Sequence, residues 1–217
     1  TVEDIAMVLE CVAGPDGYDP RQVNLPVPLP KYTDVLIRGI KGLKIGVLAE
    51  GFGVKGGDQD VDDAVVEAIS VLERNGAQAE RVSVPLHTKA ILPLLSLFAE
   101  GGKRMYSNLG GTFAKTYYPS SLISIFGRLR QPHGQAFPPN LKVGLMLGHY
   151  LQEHYGGRLY AKAQNVRPTF VKGYGDVFAR VDLLAMPTIP IKALFWPEPK
   201  DHEEALEHTL FGGELGM

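Results

Sequence analysis

One cysteine, Cys11, stands among 217 residues, so no intrachain disulfide can form, and the chain suits a reducing compartment, the cytoplasm. No stretch approaches the roughly 18 uninterrupted apolar residues that span a bilayer, so no membrane helix is expected. Positive charge is not in excess. The 22 Lys and Arg against 24 Asp and Glu leave a formal charge of −2, which argues against a nucleic-acid or membrane-surface partner. The opening Thr1-Val2-Glu3-Asp4 is acidic and lacks the basic start of a signal peptide. Repeats, heptads and low-complexity tracts are also missing. What is present is ordinary for a globular chain: 45% of residues are hydrophobic, enough to bury a core.

Hydrophobic periodicity divides the chain into four stretches. Residues 1–42 read as a helix over Thr1–Ala13, stopped by Gly14-Pro15-Asp16-Gly17, then a proline-rich connector. Thr1 and Asp4 have the spacing of a capping box. Residues 43–86 read as a β-α-β unit. Lys44–Ala49 forms a buried strand, and a helix capped by Asp58 or Asp60 runs to Asn75-Gly76. A second strand follows, with Ala77, Ala79, Val82 and Val84 on one face. Such an order predicts parallel pairing. Residues 87–181 read as four or five helices punctuated at Gly101-Gly102, Gly110-Gly111, Pro119, Pro132, Pro138-Pro139 and Gly156-Gly157, with a kink or break at Pro168. Residues 182–217 hold a buried strand, Asp182–Met186, and its exit loop, Pro187-Thr188-Ile189-Pro190. The capped first helix and the glycine-rich last residues read as a piece of a longer protein.

Several motifs imitate known chemistry. Gly51-Phe52-Gly53-Val54-Lys55-Gly56 matches G-x-G-x-x-G between a strand and a helix. Four aspartates, Asp58, Asp60, Asp62 and Asp63, crowd that helix start and repel a phosphate, so a plain connecting loop is expected. The same acids imitate a calcium loop, but its sixth and twelfth positions hold Asp63 and Ile69 rather than Gly and Glu. His149 and His154 are five apart, which is not one helical face. Cys11 reads as a core filler, and Ser120-Ser121 as a helix N-cap. No cofactor and no metal are therefore expected. Thr188 is different. Ligands gather outside the carboxyl ends of strands in open α/β sheets, and two prolines hold this hydroxyl in place. A substrate-binding Thr188 stands beside the plainer reading of a rigid exit loop. Trp196 could close one side of an apolar pocket or simply pack.

Three segments together resemble the amidase signature family. They are Thr1–Asp4 through Ala13–Asp16, then Lys41-Gly42-Leu43-Lys44-Ile45-Gly46-Val47, then Tyr160–Asn165 with Val181–Pro190. The likeness covers nearly the whole chain and is nearest to bacterial amidases acting on small aliphatic or aromatic amides. It implies an incomplete α/β/α sandwich with a mixed sheet and a helical insertion, residues 1–217 forming a partial amidase domain. It also implies carboxamide hydrolysis by a Ser nucleophile, a second Ser in a cis-peptide bridge and a Lys, with a glycine-rich turn as oxyanion hole. No Gly-Gly-Ser-Ser-Gly-Gly or Gly-Gly-Ser turn occurs here, so no residue inherits those roles. The expected partner is a small-molecule amide, and unpaired sheet edges favour a homo-oligomer. A catalytically inert scaffold or binding polypeptide is the alternative.

Overall fold

The computed structural model describes residues 1–17, 28–107, 118–193, 200–201 and 203–204. Helix α1, Val2–Val12, starts at the capping box: Thr1 Oγ1 accepts the Asp4 N–H at 3.1 Å, and the Asp4 carboxylate takes the N-terminal amine at 2.8 Å. Of its residues only Ala6 is buried. Cys11 is exposed, which corrects its reading as a core filler: α1 touches one short helix, α2, Tyr32–Leu36, and Cys11 does not fall on the covered side. Glu10 ties the two helices, accepting both the N–H and the hydroxyl of Thr33 at 2.8 Å.

The centre is a three-stranded sheet in the order β2-β1-β3, from β1, Lys44–Leu48, β2, Gln78–Val82, and β3, Leu183–Ala185. Both described pairings are parallel, Lys44–Leu48 against Gln78–Val82 and Ile45–Val47 against Leu183–Ala185. No antiparallel strand joins them among the described residues. The pleat sends alternate residues to opposite faces. Leu48, Val82 and Val84 are buried with Val177 and Val181, while Tyr174 and Leu184 pack against them. On the other face Val47 and Ala79 face Ile69 of helix α3, Gln59–Arg74, across a cavity. Ala79 therefore points away from Val82 and Val84, because odd and even positions of a strand cannot share a face. Gly46 lies in the strand for want of room. A Cβ there would sit 2.9 Å from both Leu184 and Val82.

β3 is an outer strand of the described sheet, with Leu183 50% exposed, rather than the fully buried strand its apolar run suggests. The middle position belongs to β1, which has a neighbour on each side.

Within 87–181 the described residues form α4, Ile91–Ser107, α5, Ser120–Leu129, α6, Pro139–Tyr155, and α7, Arg158–Phe178. α4 packs against α6 and α7. Gly101-Gly102 lies inside α4, and α7 runs through Pro168 without ending. α6 and α7 are separated by Gly156 and Gly157, both left-handed at φ 57° and 81°. No side chain of α7 itself caps its start. Glu100 of α4, 4% exposed, does so from outside, accepting the Tyr160 N–H at 3.1 Å. The sheet carries α3 on one face and α7 on the other, an α/β arrangement that brings all three strand exits to one edge.

Candidate functional site

That edge is where parallel sheets present ligand-binding groups. β1 leaves through a tight turn, Ala49–Gly51, and β2 through Ser83-Val84. Glu50 bridges the two exits. Its carboxylate accepts the Ser83 hydroxyl at 2.5 Å and the Val84 N–H at 3.0 Å. The Ser83 hydrogen bond, more than any other influence, holds the Glu50 carboxyl below the usual carboxylate range. Beside it, His87 Nδ1 and the Tyr174 hydroxyl are 2.6 Å apart, with the rings edge to face. Burial, and then the charge of Glu50, push the Tyr174 phenol up. The cluster therefore holds one firm carboxylate and one neutral phenol bound to an imidazole. Ser83 donates to the carboxylate rather than to His87, and a carboxyl with a lowered pKa is a poor base. This is a brace between strand exits, not a nucleophile with its base.

The third exit carries Thr188. Pro187 and Pro190 are buried, while Thr188 and Ile189 between them are exposed. The loop is tied to the start of α3. The Asp58 N–H donates to Pro190 O at 2.8 Å, and the Lys192 N–H donates to Asp58 Oδ2 at 2.8 Å. Lys192 Nζ also pairs with Asp60 at 2.7 Å. That hydrogen bond, then the charge of Lys192, lowers the Asp60 pKa, and Asp60 raises that of Lys192. Trp196 lies outside the described residues.

The other sequence motifs fall elsewhere. In the glycine loop, Gly53 has φ 63° and its N–H donates to Asp62 Oδ2 at 2.8 Å, so a carboxylate occupies the place a phosphate would need. Asp58 is the N-cap residue of α3 but makes no side-chain cap bond, having turned to Lys192. Asp63 accepts from Gln59. Ser120 and Ser121 are the first two residues of α5. The N-cap position belongs to Pro119, whose ring fixes φ, and this corrects the N-cap reading of the serines. His149 and His154 are exposed on α6, and His154 lies 4.3 Å from the Tyr150 ring. A separate cavity of about 460 Å³ opens between α3 and the β1–β2 face, floored by Val47, Ala79 and Ile69 and rimmed by Asp62, Asp63 and Arg81.

Sequence reasoning reached Thr188 through the strand-exit rule. The same rule, applied to β1 and β2, would have named Glu50 and Ser83. His87 and Tyr174 are 87 residues apart, and no local pattern links them.

A family model described as Amidase matches residues 1–210. The chain is 36% identical over 196 residues to a glutamyl-tRNA(Gln) amidotransferase subunit of Gloeobacter violaceus, covering 89% of this chain and 39% of that protein. It is 35% identical over 195 residues to an enantioselective amidase of Rhodococcus rhodochrous, covering 89% and 38%. Among solved structures, the corresponding glutamyl-tRNA(Gln) amidotransferase subunit of Thermotoga maritima aligns at a TM-score of 0.61 and 24% identity, over 100% of this chain and 42% of that one. A bacterial aryl acylamidase of the amidase signature family aligns at 0.65 and 23%, over 88% and 35%. These two structural likenesses bear on the fold alone. The chain spans about two fifths of the length of the curated relatives it matches.

Proposed function

Because the chain belongs to the amidase family, we propose that it is part of an enzyme that adds water across a carboxamide C–N bond, giving a carboxylate and ammonia. On this reading a Ser, a cis-peptide Ser and a Lys do the chemistry, and they come from sequence other than these 217 residues. The support is the absence of any Gly-Gly-Ser turn here, and a match to only about 39% of the relatives' length. This chain contributes the sheet, its outer helices and one wall of the acyl pocket. A small-molecule amide is the ligand, no cofactor is involved, and a cytoplasmic location fits the lone cysteine. No helix among the described residues is long and apolar enough to cross a membrane.

The observation that carries the reading is the fixed Thr188 at the carboxyl edge of a parallel sheet. Thr188 is exposed between two buried prolines, which supports a reading in which its hydroxyl hydrogen-bonds a substrate carbonyl or braces the nucleophile turn. Reading the gene upstream of Thr1 is the first test. An open frame encoding the Lys and both serines supports the enzyme; a start codon near Thr1 favours the inert scaffold. In the protein that carries those residues, Thr188→Val keeps the shape and removes the hydroxyl. The loss of about 0.5–1.5 kcal/mol lowers kcat/KM for propionamide or benzamide up to roughly tenfold. Unchanged kinetics and an unchanged melting temperature would make Thr188 an ordinary loop residue.

A further inference from the structure

Asp58 departs from what its position ordinarily asks. An aspartate before the first turn of a helix commonly gives its oxygen to a helix N–H, yet the side chain of Asp58 caps nothing in α3. Its backbone N–H and its Oδ2 instead hold Pro190 O and the Lys192 N–H, each at 2.8 Å. Asp58 thus grips two backbone groups that flank Ile191, one as donor and one as acceptor, as a neighbouring strand would. The grip is reinforced on either side. Lys192 Nζ reaches Asp60 at 2.7 Å, and Gly57 lies so close that a Cβ there would be 3.1 Å from Pro190 O. At the near end of the loop, a Cβ on Gly51 would fall 2.6 Å from Met186 Cβ. The loop is therefore pressed against the β1–α3 segment at both ends, and Thr188-Ile189 is what it leaves free.

We infer that Asp58 is a positioning residue: with Lys192 it latches the β3 exit loop to the start of α3 and so fixes where Thr188 and Ile189 stand. The consequence for substrate choice rests on the reading that this loop borders the amide site; the latch itself does not. Coupling runs from α3 to the sheet edge through one backbone–backbone hydrogen bond and one from the Lys192 N–H to the Asp58 side chain, so the acyl group accepted at that edge depends on a residue that never touches it.

Hydrogen exchange on this chain tests the latch without reference to activity. In the unaltered chain the Asp58 and Lys192 amides exchange far more slowly than free-chain amides. Asp58→Ala speeds exchange at Lys192 by roughly tenfold, the worth of one lost hydrogen bond, while residues 140–155 of α6 keep their rate. Asp58→Asn retains an acceptor oxygen and stays within about threefold of the unaltered chain. Free-chain exchange at Lys192 before any substitution overturns the latch, as does Asp58→Ala with unchanged exchange. Should Asp58→Ala loosen α6 as well, the rate in the unaltered chain decides. In the amide-hydrolysing protein, Asp58→Ala raises KM for benzamide and propionamide by unequal factors, and Asp58→Asn restores the ratio. An equal loss on both would mark a merely structural role. A loop freed by Asp58→Ala with amide kinetics indifferent to both Asp58 and Thr188 sinks the reading that this loop borders the amide site and spares the latch. Normal amide kinetics with unchanged exchange does the reverse.

Discussion

Gly148 is where α6 lies directly on α4, and replacing it with Ala should destabilise the chain although Ala is the better helix former. A Cβ at 148 would lie 2.1 Å from the Ala99 carbonyl oxygen, 2.7 Å from its carbon and 2.8 Å from Lys103 Cβ. Ordinary contact begins at 3.4 Å, so the axes must separate by about 1.3 Å against a backbone that cannot rotate away. The surroundings make that expensive. Ala99 and Glu100 are both buried, and Lys103 Nζ hydrogen-bonds Gln152 across the same seam. Overpacking of this kind costs about 1–3 kcal/mol, near the upper end here because the obstacle is main chain. Relief of glycine's chain entropy returns about 0.5–1 kcal/mol. The net is a loss of about 1–2 kcal/mol, a fall in Tm of roughly 2–8 °C for a chain of this size. Gly144, one turn earlier on α6, supplies the control, since a Cβ there meets nothing within 4 Å. Gly144→Ala keeps only the entropic gain and should raise stability by about 0.5–1 kcal/mol. Thermal and urea melts followed by circular dichroism distinguish the two by sign. A Gly148→Ala chain as stable as Gly144→Ala would refute the backbone contact between α4 and α6.

Glu50→Gln removes the charge that holds Ser83 and Val84 together, and urea melts at neutral pH should show a loss of about 0.5–1 kcal/mol, since solvent screens the carboxylate. Because the Glu50 pKa is lowered in the folded chain, its contribution is complete above the ordinary carboxylate range, roughly pH 4, and disappears as pH falls through the folded value. The gap between the two proteins should close in acid, and a gap of equal size at neutral pH and at roughly pH 2 contradicts the assignment. Glu100→Ala strands the Tyr160 N–H in a buried seam and should cost about 1–3 kcal/mol, with Glu100→Gln losing less because an acceptor oxygen remains. Equal losses would mean that packing, not the cap, is what Glu100 supplies. Lys192→Ala should leave global stability essentially unchanged in denaturant melts, since both members of the pair face solvent.

The β1-α3-β2 unit was legible because each boundary has a local cause. β1 is a short apolar run, and α3 ends at Asn75 before Gly76, which takes φ 98°. The capping box of α1 was legible for the same reason. Tertiary contacts override local signals elsewhere. Gly101-Gly102 reads as a break but continues as helix, because α4 is packed between α6 and α7, and a Cβ on Gly101 would lie 3.8 Å from the Tyr160 ring. Asp58 reads as a cap, and the residue it binds lies 134 positions away. That Thr188 would follow a strand exit was legible because such exits follow a rule of topology, and it does lie just beyond β3. The Glu50–Ser83 brace obeys the same rule, but Glu50 and Ser83 look like ordinary surface residues in the sequence. Their partnership exists only once β1 and β2 lie side by side.

The sheet also sets an order of events during synthesis. β1 finds β2 soon after both leave the ribosome, but its other edge belongs to β3. Asp182 meets Lys44 on both sides of its peptide: the Asp182 N–H donates to Lys44 O at 2.9 Å, and the Lys44 N–H donates to the Asp182 carboxylate at 2.8 Å, across 138 residues. At about 5–20 residues per second, that edge of β1 waits roughly 7–28 s for its partner. For that interval it presents unpaired backbone donors and acceptors to any other extended chain nearby. Translation speed and growth temperature thus act on the yield of folded chain through one strand edge, and α4 to α7 are what must be made while it is open.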